Sequence, residues 1–437
     1  MTPLHGTFGV AKVRIPCNFL ARRDGYTIAM SVSRRVFLST AAVATAWTAR
    51  SYAAVIGAND RIRVGVIGCG GMAQGHMRSL VRVREQDNFE FTAVCDLYDK
   101  RRTIANEITG GKIYQRHQDL LADQNVDYVL IATPEHRHFD VAMDALKAGK
   151  HIYLEKPMTR TTEEGKKLVA AVKASPLKLQ VGVQGTSDMS YITASKYVAD
   201  GTLGDIVMAQ IDYSRNYSDE GDFWAYEIDA DAKPGVNIDW QSWLGSAPKR
   251  PYDADRFFRW RRYWDYSNGI SSDLYIHRVT RLIKAMNLGY PEYAVGVGGK
   301  YHFKTSKAEI PDTFNIMLDY PNGPTVNLVS SMANGEPIKH MIRGSKATLF
   351  FTREGFDIIP EKYMEKEMKP INYKKEGRED VVLHHRNLMT VIRKGGDLNC
   401  DVDLGLKAVV ACEMGTQSFR QRRYMRWDSR AQKIAKL

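Results

Sequence analysis

From residue 61 the chain alternates short apolar runs with longer amphipathic stretches. Residues 61–67, Arg-Ile-Arg-Val-Gly-Val-Ile, are a β-branched run that ends in glycines. A helical stretch carrying Met77, Leu80 and Val81 follows. Phe89 to Cys95 reads as a second buried strand ending at Asp96, and residues 126–132 as a third, broken by Thr133-Pro134. A helix near 138–148 stops at Gly149, strand His151–Leu154 runs into Glu155-Lys156-Pro157, and helix 161–174 leads to strand Leu179–Val183. Strands alternating with helices predict a doubly wound parallel sheet, an α/β Rossmann domain over 61–183. From about 205 the period changes to two. Ile206–Ser214, Tyr293–Phe303, Thr313–Tyr320, Thr325–Met332 and Thr348–Thr352 alternate like half-buried strands. One clear helix, Asp273 to Asn287, stands among them, stopped by Gly289 and Pro291. The second part, 184–430, is therefore predicted to be an α+β domain with a large, mostly antiparallel open sheet.

Composition narrows the class. The 437 residues are 44% hydrophobic and 26% charged, as expected of a globular protein of two or three domains. The formal charge of +12 suggests a nucleic-acid partner, but residues 1–53 alone hold seven Lys/Arg against Asp24, a net of +6, which leaves 12 − 6 = +6 for the rest. No basic run in that remainder tracks a phosphate backbone, so no nucleic acid is expected. Five cysteines without a C-x-x-C pair argue against a disulfide scaffold or zinc. His384 and His385 fall on a helical stretch where neighbours diverge, so no metal is expected there.

The concentrated positive charge has its own explanation. Ser33-Arg34-Arg35-Val36-Phe37-Leu38 precedes 14 uncharged residues, Val36 to Ala49, and Ser51-Tyr52-Ala53 offers small residues for cleavage. That order predicts a secretory signal over 1–53, with Met30 an alternative start. The apolar stretch is too short for a stable membrane anchor. The paired arginines resemble a twin-arginine signal, which implies the Tat export machinery as a partner and a periplasmic or secreted location. A basic tail with an accidental arginine pair is the alternative.

The turn Gly68-Cys69-Gly70-Gly71-Met72-Ala73 has the features a dinucleotide needs. Gly68 allows the sharp turn, Gly70 the approach of a pyrophosphate to backbone N–H groups, and Ala73 the packing of helix on strand. Asp96, ending the next strand, suits ribose hydroxyls and repels a 2′-phosphate. NAD is the expected cofactor; Arg101 and Arg102 stand close enough to admit NADP.

Two further groupings carry chemistry. Pro157 extends the backbone at Lys156, which aims an ammonium at the carboxyl edge of the sheet; a surface lysine before a turn is the alternative. Asp273 and His277 are four apart, so on a helix they share a face, where a carboxylate tunes an imidazole as proton acceptor. Alternatively Ser271 or Ser272 caps that helix and Asp273 complements its dipole. Residues 213–266 contain 14 aromatics in 54, or 26% against 10% for the chain. With interleaved charges such as Arg256, Arg259, Arg261 and Asp265 they suit either a polyhydroxylated ring or a packing surface.

With VIGCGGMA, CDLYD, ATPEHRH (132–138), YLEKPMTR (153–160), VGVQ (181–184), Asp273-x-x-x-His277 and HHRNL (384–388), the chain resembles the glucose–fructose oxidoreductase, inositol dehydrogenase and rhizopine-catabolism family (Gfo/Idh/MocA) from about Arg61 to Asp428. The resemblance implies an NAD(P)-dependent oxidoreductase that is homo-oligomeric through its open sheet. It implies Lys156 beside the nicotinamide and a substrate hydroxyl, His277 as proton acceptor and Asp273 in support. Thr133, Pro134, His138, Glu155 and Gln184 would line the cofactor cleft. Two departures touch the implied sugar pocket: Tyr275 stands where a small residue is usual, and Gly185-Thr186 replace an arginine. The expected activity is hydride transfer at a sugar hydroxyl or carbonyl with tightly held cofactor. A redox-neutral NAD-dependent glycosidase and a non-catalytic sugar-binding module are the alternatives.

Overall fold

The computed structural model describes residues 61–377 and 380–437, all within the unit Ala54–Leu437. The expected export signal lies outside the described residues. Strands β1 (Ile62–Ile67), β2 (Phe89–Cys95), β3 (Lys112–Tyr114), β4 (Tyr128–Ile131), β5 (His151–Glu155) and β6 (Leu179–Gly182) form one parallel sheet in the order β3-β2-β1-β4-β5-β6. β4 and β5 are buried at every position, as strands with helices on both faces must be. The strand order reverses between β1 and β4, so the crevice for a ligand opens at the carboxyl ends of those strands.

The second sheet has ten strands: β7 (Ile206–Asp212), β8 (Tyr293–Gly299), β9 (Thr313–Asp319), β10 (Thr325–Ser331), β11 (Met341–Gly344), β12 (Ala347–Phe351), β13 (Gly355–Pro360), β14 (Ile371–Lys374), β15 (Met425–Asp428) and β16 (Lys433–Lys436). Its order is β14-β13-β12-β11-β7-β10-β9-β8-β15-β16, antiparallel except between β7 and β10. β10 alternates strictly between buried and half-buried positions, the half-solvated face its sequence period demands.

The second half holds more helix than its pattern suggests. Besides Ile276–Met286 and Val381–Lys394, the helix on which His384 and His385 fall as expected, it contains Val402–Gln421, which corrects the expectation of one clear helix among the strands. The 20-residue helix Val402–Gln421 is wedged between β8, β6 and helix Thr162–Lys173, with Val409, Val410, Ala411, Cys412 and Met414 all buried. Burial around most of its circumference erases the 3.6-residue stripe by which helices are recognised. Helix Val381–Lys394 returns to the first sheet, where Val382, Leu388 and Met389 join the cluster of Val64, Val66 and Leu130.

The expected helix start at Asp273 also differs. Ser271–Tyr275 form a π-helical turn before the α-helix, whereas the helix ends on left-handed Asn287 as expected. Neither serine caps: Ser271 Oγ donates to Cys412 O at 2.8 Å and Ser272 Oγ to Glu135 Oε2 at 2.7 Å. Tertiary acceptors claim both hydroxyls.

Helix Val402–Gln421 crosses β8 at Gly296, where a Cβ would lie 2.1 Å from Gly415 O. Gly296→Ala should therefore lower the free energy of urea unfolding by roughly 1–3 kcal/mol. Gly289→Ala, whose Cβ meets nothing within 4 Å, should change it by less than about 0.5 kcal/mol.

Candidate active site

The glycine turn sits at the carboxyl end of β1. Gly68 has φ +85°, and a Cβ there would lie 2.7 Å from Thr133 N, so the turn nests against the end of β4 only without a side chain. Gly70 precedes helix Gly71–Val81 with no side-chain cap. Nothing lies within 4 Å of where a Cβ of Gly70 or Gly71 would be. The first N–H groups of that helix thus face an open cradle suited to a diphosphate. Thr133 Oγ1, at the rim, is buried without a hydrogen-bond partner among the described residues.

Asp96 is fixed at the end of β2 by Cys69 N–H at 2.7 Å and Tyr98 N–H at 2.9 Å. A carboxylate has about four acceptor positions, so it retains capacity for a ribose diol. Arg102 is turned inward, donating to Asp96 O at 2.7 Å and to Asp99. Arg101 lies over the Phe257 ring at 5.2 Å. The open helix end, the small turn and the unpartnered hydroxyl fit a dinucleotide.

The Glu155-Lys156-Pro157 segment, with a cis Lys156–Pro157 bond, ends β5 on the same rim. Glu155 accepts from Gln184 Nε2 at 2.8 Å and lies 3.0 Å from His76 Nε2. Burial opposes its charge, but His76 and Lys156 hold it below the usual carboxylate range. His138 bridges Thr133 O (2.9 Å) and Pro157 O (2.6 Å), tying the ends of β4 and β5 together. It is buried.

Lys156 is 7% exposed and donates from Nζ to Asp273 O and Asp273 Oδ1, both at 2.8 Å. Arg261 Nε donates to the same oxygen at 3.0 Å. Despite burial, these two cations hold the Asp273 carboxyl far below its ordinary range. Asp273 and His277 form no hydrogen bond with each other among the described residues. The π turn widens the winding through Asp273, so a four-residue spacing no longer aligns the two side chains, and Asp273 instead meets Lys156 and Arg261. His277 packs beside Tyr213, ring centroids 5.9 Å apart. Burial, then Lys156 and Arg281, push its imidazole well below 6.5, which leaves it neutral and able to accept a proton.

The sequence did not single out Glu135. It is 2% exposed, accepts from Ser267 Oγ (2.8 Å) and Ser272 Oγ (2.7 Å), and is pushed up to about 7 by burial and then by the charge of Asp273. Its place in ATPEHRH was visible, but its hydroxyl donors are more than 130 residues away. Most of the aromatic run is packing. Trp240, Trp243, Phe257, Tyr263 and Tyr266 form a cluster of their own with Tyr98, while Tyr213 and Tyr226 stay beside the crevice.

Residues 62–183 match the oxidoreductase family, NAD-binding Rossmann fold, and residues 236–426 match the C-terminal alpha/beta domain of the same family, GFO_IDH_MocA. The chain belongs to the Gfo/Idh/MocA oxidoreductase family. It is 22% identical over 298 residues to scyllo-inositol 2-dehydrogenase (NADP(+)) IolW of Bacillus subtilis, covering 68% of this chain and 70% of that protein. It is 29% identical over 186 residues to inositol 2-dehydrogenase of Rubrobacter xylanophilus, 42% of this chain and 49% of that one. Among solved structures it is similar to levoglucosan dehydrogenase in complex with NADH and levoglucosan, with TM-score 0.65 and 17% identity over 83% of this chain and 98% of that one. It is also similar to the WlbA dehydrogenase of Bordetella pertussis in complex with NADH and UDP-GlcNAcA, with TM-score 0.63 and 20% identity over 83% and 98%.

As a Gfo/Idh/MocA oxidoreductase the protein uses an NAD(P) cofactor, and its two departures from the usual pattern have structural answers. Tyr275 is fully buried and donates to Phe314 O, so the second sheet absorbs its bulk. At Gly185 a Cβ would lie 1.9 Å from Arg281 Cζ. A guanidinium from helix Ile276–Met286 fills the space that a side chain at 185 would take.

Buried histidines make the fold acid-sensitive. Burial pushes His136 down to about 3, and His151 and His384 to about 4. Unfolded histidine titrates near 6.5, so below that pH the unfolded chain binds protons that the native state refuses. Stability should fall by about 1.4 kcal/mol per pH unit for each such residue between roughly pH 6.5 and 4. The urea midpoint should drop clearly from pH 7 to pH 5; an unchanged midpoint would contradict the buried, neutral state of these rings.

Proposed function

We propose that this protein transfers hydride reversibly between a carbinol carbon of a sugar or sugar derivative and the nicotinamide of a tightly held NAD(P). The observation that carries this reading is the ammonium of Lys156, fixed by Asp273 at the rim shared with the glycine turn. A lysine has three N–H donors. Two are spent on Asp273, which leaves one for a substrate oxygen. Lys156 polarises the substrate hydroxyl and stabilises the charge that grows on its oxygen. A ring nitrogen of His277, neutral at working pH, takes the hydroxyl proton. Asp273 and Arg261 keep the ammonium in place. The bound nicotinamide supplies the acceptor for hydride, and the sugar carbon becomes a carbonyl. In the reverse direction His277 returns the proton.

The twin-arginine pattern at 33–38 supports export of a folded protein with its cofactor already loaded. Outside the cytoplasm free coenzyme is scarce, so the hydride taken from one sugar would be passed to the carbonyl carbon of a second sugar within the same cycle.

Mass spectrometry of the denatured protein should reveal a bound dinucleotide. A sugar panel should then give substrate-dependent absorbance of reduced nicotinamide. Lys156→Ala should retain the dinucleotide but lose on the order of 10²–10³ in kcat. Turnover unaffected by that change, or release of a nitrophenyl aglycone with no net reduction, would overturn the proposal.

A further inference from the structure

The outer part of the crevice holds two guanidinium groups that form no ion pair with a carboxylate among the described residues. Arg278 directly follows His277, and its guanidinium lies 5.2 Å from the centroid of the Tyr213 ring. The guanidinium of Arg215 lies 5.5 Å from the same ring and donates to Tyr217 OH at 3.2 Å. Tyr213 in turn abuts the His277 ring at 5.9 Å. One tyrosine therefore carries two guanidinium groups beside the imidazole. Neither pairs with a carboxylate among the described residues, and Arg278 Nε is buried without a hydrogen-bond partner.

Four nearby carboxylates have partners of their own. Asp273 is taken by Lys156 and Arg261, and Glu135 by Ser267 and Ser272. Glu155 is held by Gln184 and His76. Asp212, on the strand leading to Tyr213, lies 2.5 Å from His340 Nε2. Two like charges beside one aromatic ring repel each other. An anion between them removes that repulsion, and a planar guanidinium binds carboxylate or phosphoryl oxygens with two parallel N–H groups.

We propose that the substrate is an acidic sugar, whose anionic oxygens are clamped by Arg278 and Arg215 over Tyr213 while the reacting hydroxyl lies against Lys156 and His277. This rests on the hydride-transfer reading above and adds the substrate class to it. The positive crevice also draws such a substrate in by its field.

The test uses the dinucleotide-loaded protein with glucuronate and galacturonate, their neutral parents glucose and galactose, and glucose 6-phosphate. Expected is a kcat/KM for the acidic members roughly 10- to 100-fold above that of the neutral parents, as charge-assisted hydrogen bonds provide. A preference for uronates or for the phosphate identifies the source of the anion. In Arg215→Gln/Arg278→Gln, KM for the acidic sugars should rise by a similar factor with kcat changed far less, and the acid preference should collapse. Bound dinucleotide in the variant reports that it is folded. Neutral parents oxidised as well as the acids, or an acid KM unmoved in the double variant, would overturn the clamp and leave hydride transfer standing. Acid-selective binding by calorimetry, lost in the double variant but without turnover, would support the clamp and sink hydride transfer. No binding and no turnover with any member would overturn both.

Discussion

The contact on which the rest of the crevice depends is the buried ion pair between Lys156 and Asp273. It joins the first residue beyond β5 to the turn that opens helix Ile276–Met286, so one interaction connects the Rossmann sheet to the elements packed on the second sheet. Both partners are almost wholly buried. Removing one partner of such a pair typically costs about 3–5 kcal/mol, because the other is left charged in a poor solvent. The pair therefore does more than position an ammonium. It makes an unpaired Lys156 expensive, and so keeps the two parts of the cleft in one arrangement.

Around that pair, the groups separate by protonation. Asp273 stays ionised under the combined pull of Lys156 and Arg261, and His277 stays neutral under burial and the neighbouring cations. Glu135, with only hydroxyl donors and one backbone N–H around it, is pushed up to about 7. Desolvation acts on all three; the sign of the nearest charge decides which of them remains ionised. A neutral imidazole beside a fixed cation is a combination suited to acid–base chemistry.

The scaffold explains why the pair forms. The π turn at Ser271–Tyr275 directs Asp273 towards Lys156, and its serines are tied to Cys412 and Glu135. The helix carrying Cys412, Val402–Gln421, packs between both sheets, so the turn is referenced to each of them. A second buried series runs from Tyr128 through His385 and His76 to Glu155, with separations of 3.0, 2.9 and 3.0 Å, and anchors the strand end that presents Lys156.

Local chemistry makes much of this legible in the sequence. The strand, glycine turn and helix at 61–81 follow from steric demands within a few residues, as does the acid ending β2, because a diphosphate needs bare backbone and a ribose needs an acceptor. The alternation through Thr313–Asp319 and Thr325–Ser331 likewise records a half-buried sheet. The identity of Asp273's partner had no such local trace: Lys156 is 117 residues away, and the helical spacing pointed to His277 instead. The same holds for Glu135, whose raised protonation comes from burial, and for the helix Val402–Gln421, whose periodicity vanishes because it is covered nearly all round. Short-range sterics are written along the chain, whereas desolvation and charge pairing exist only once distant segments have been brought together.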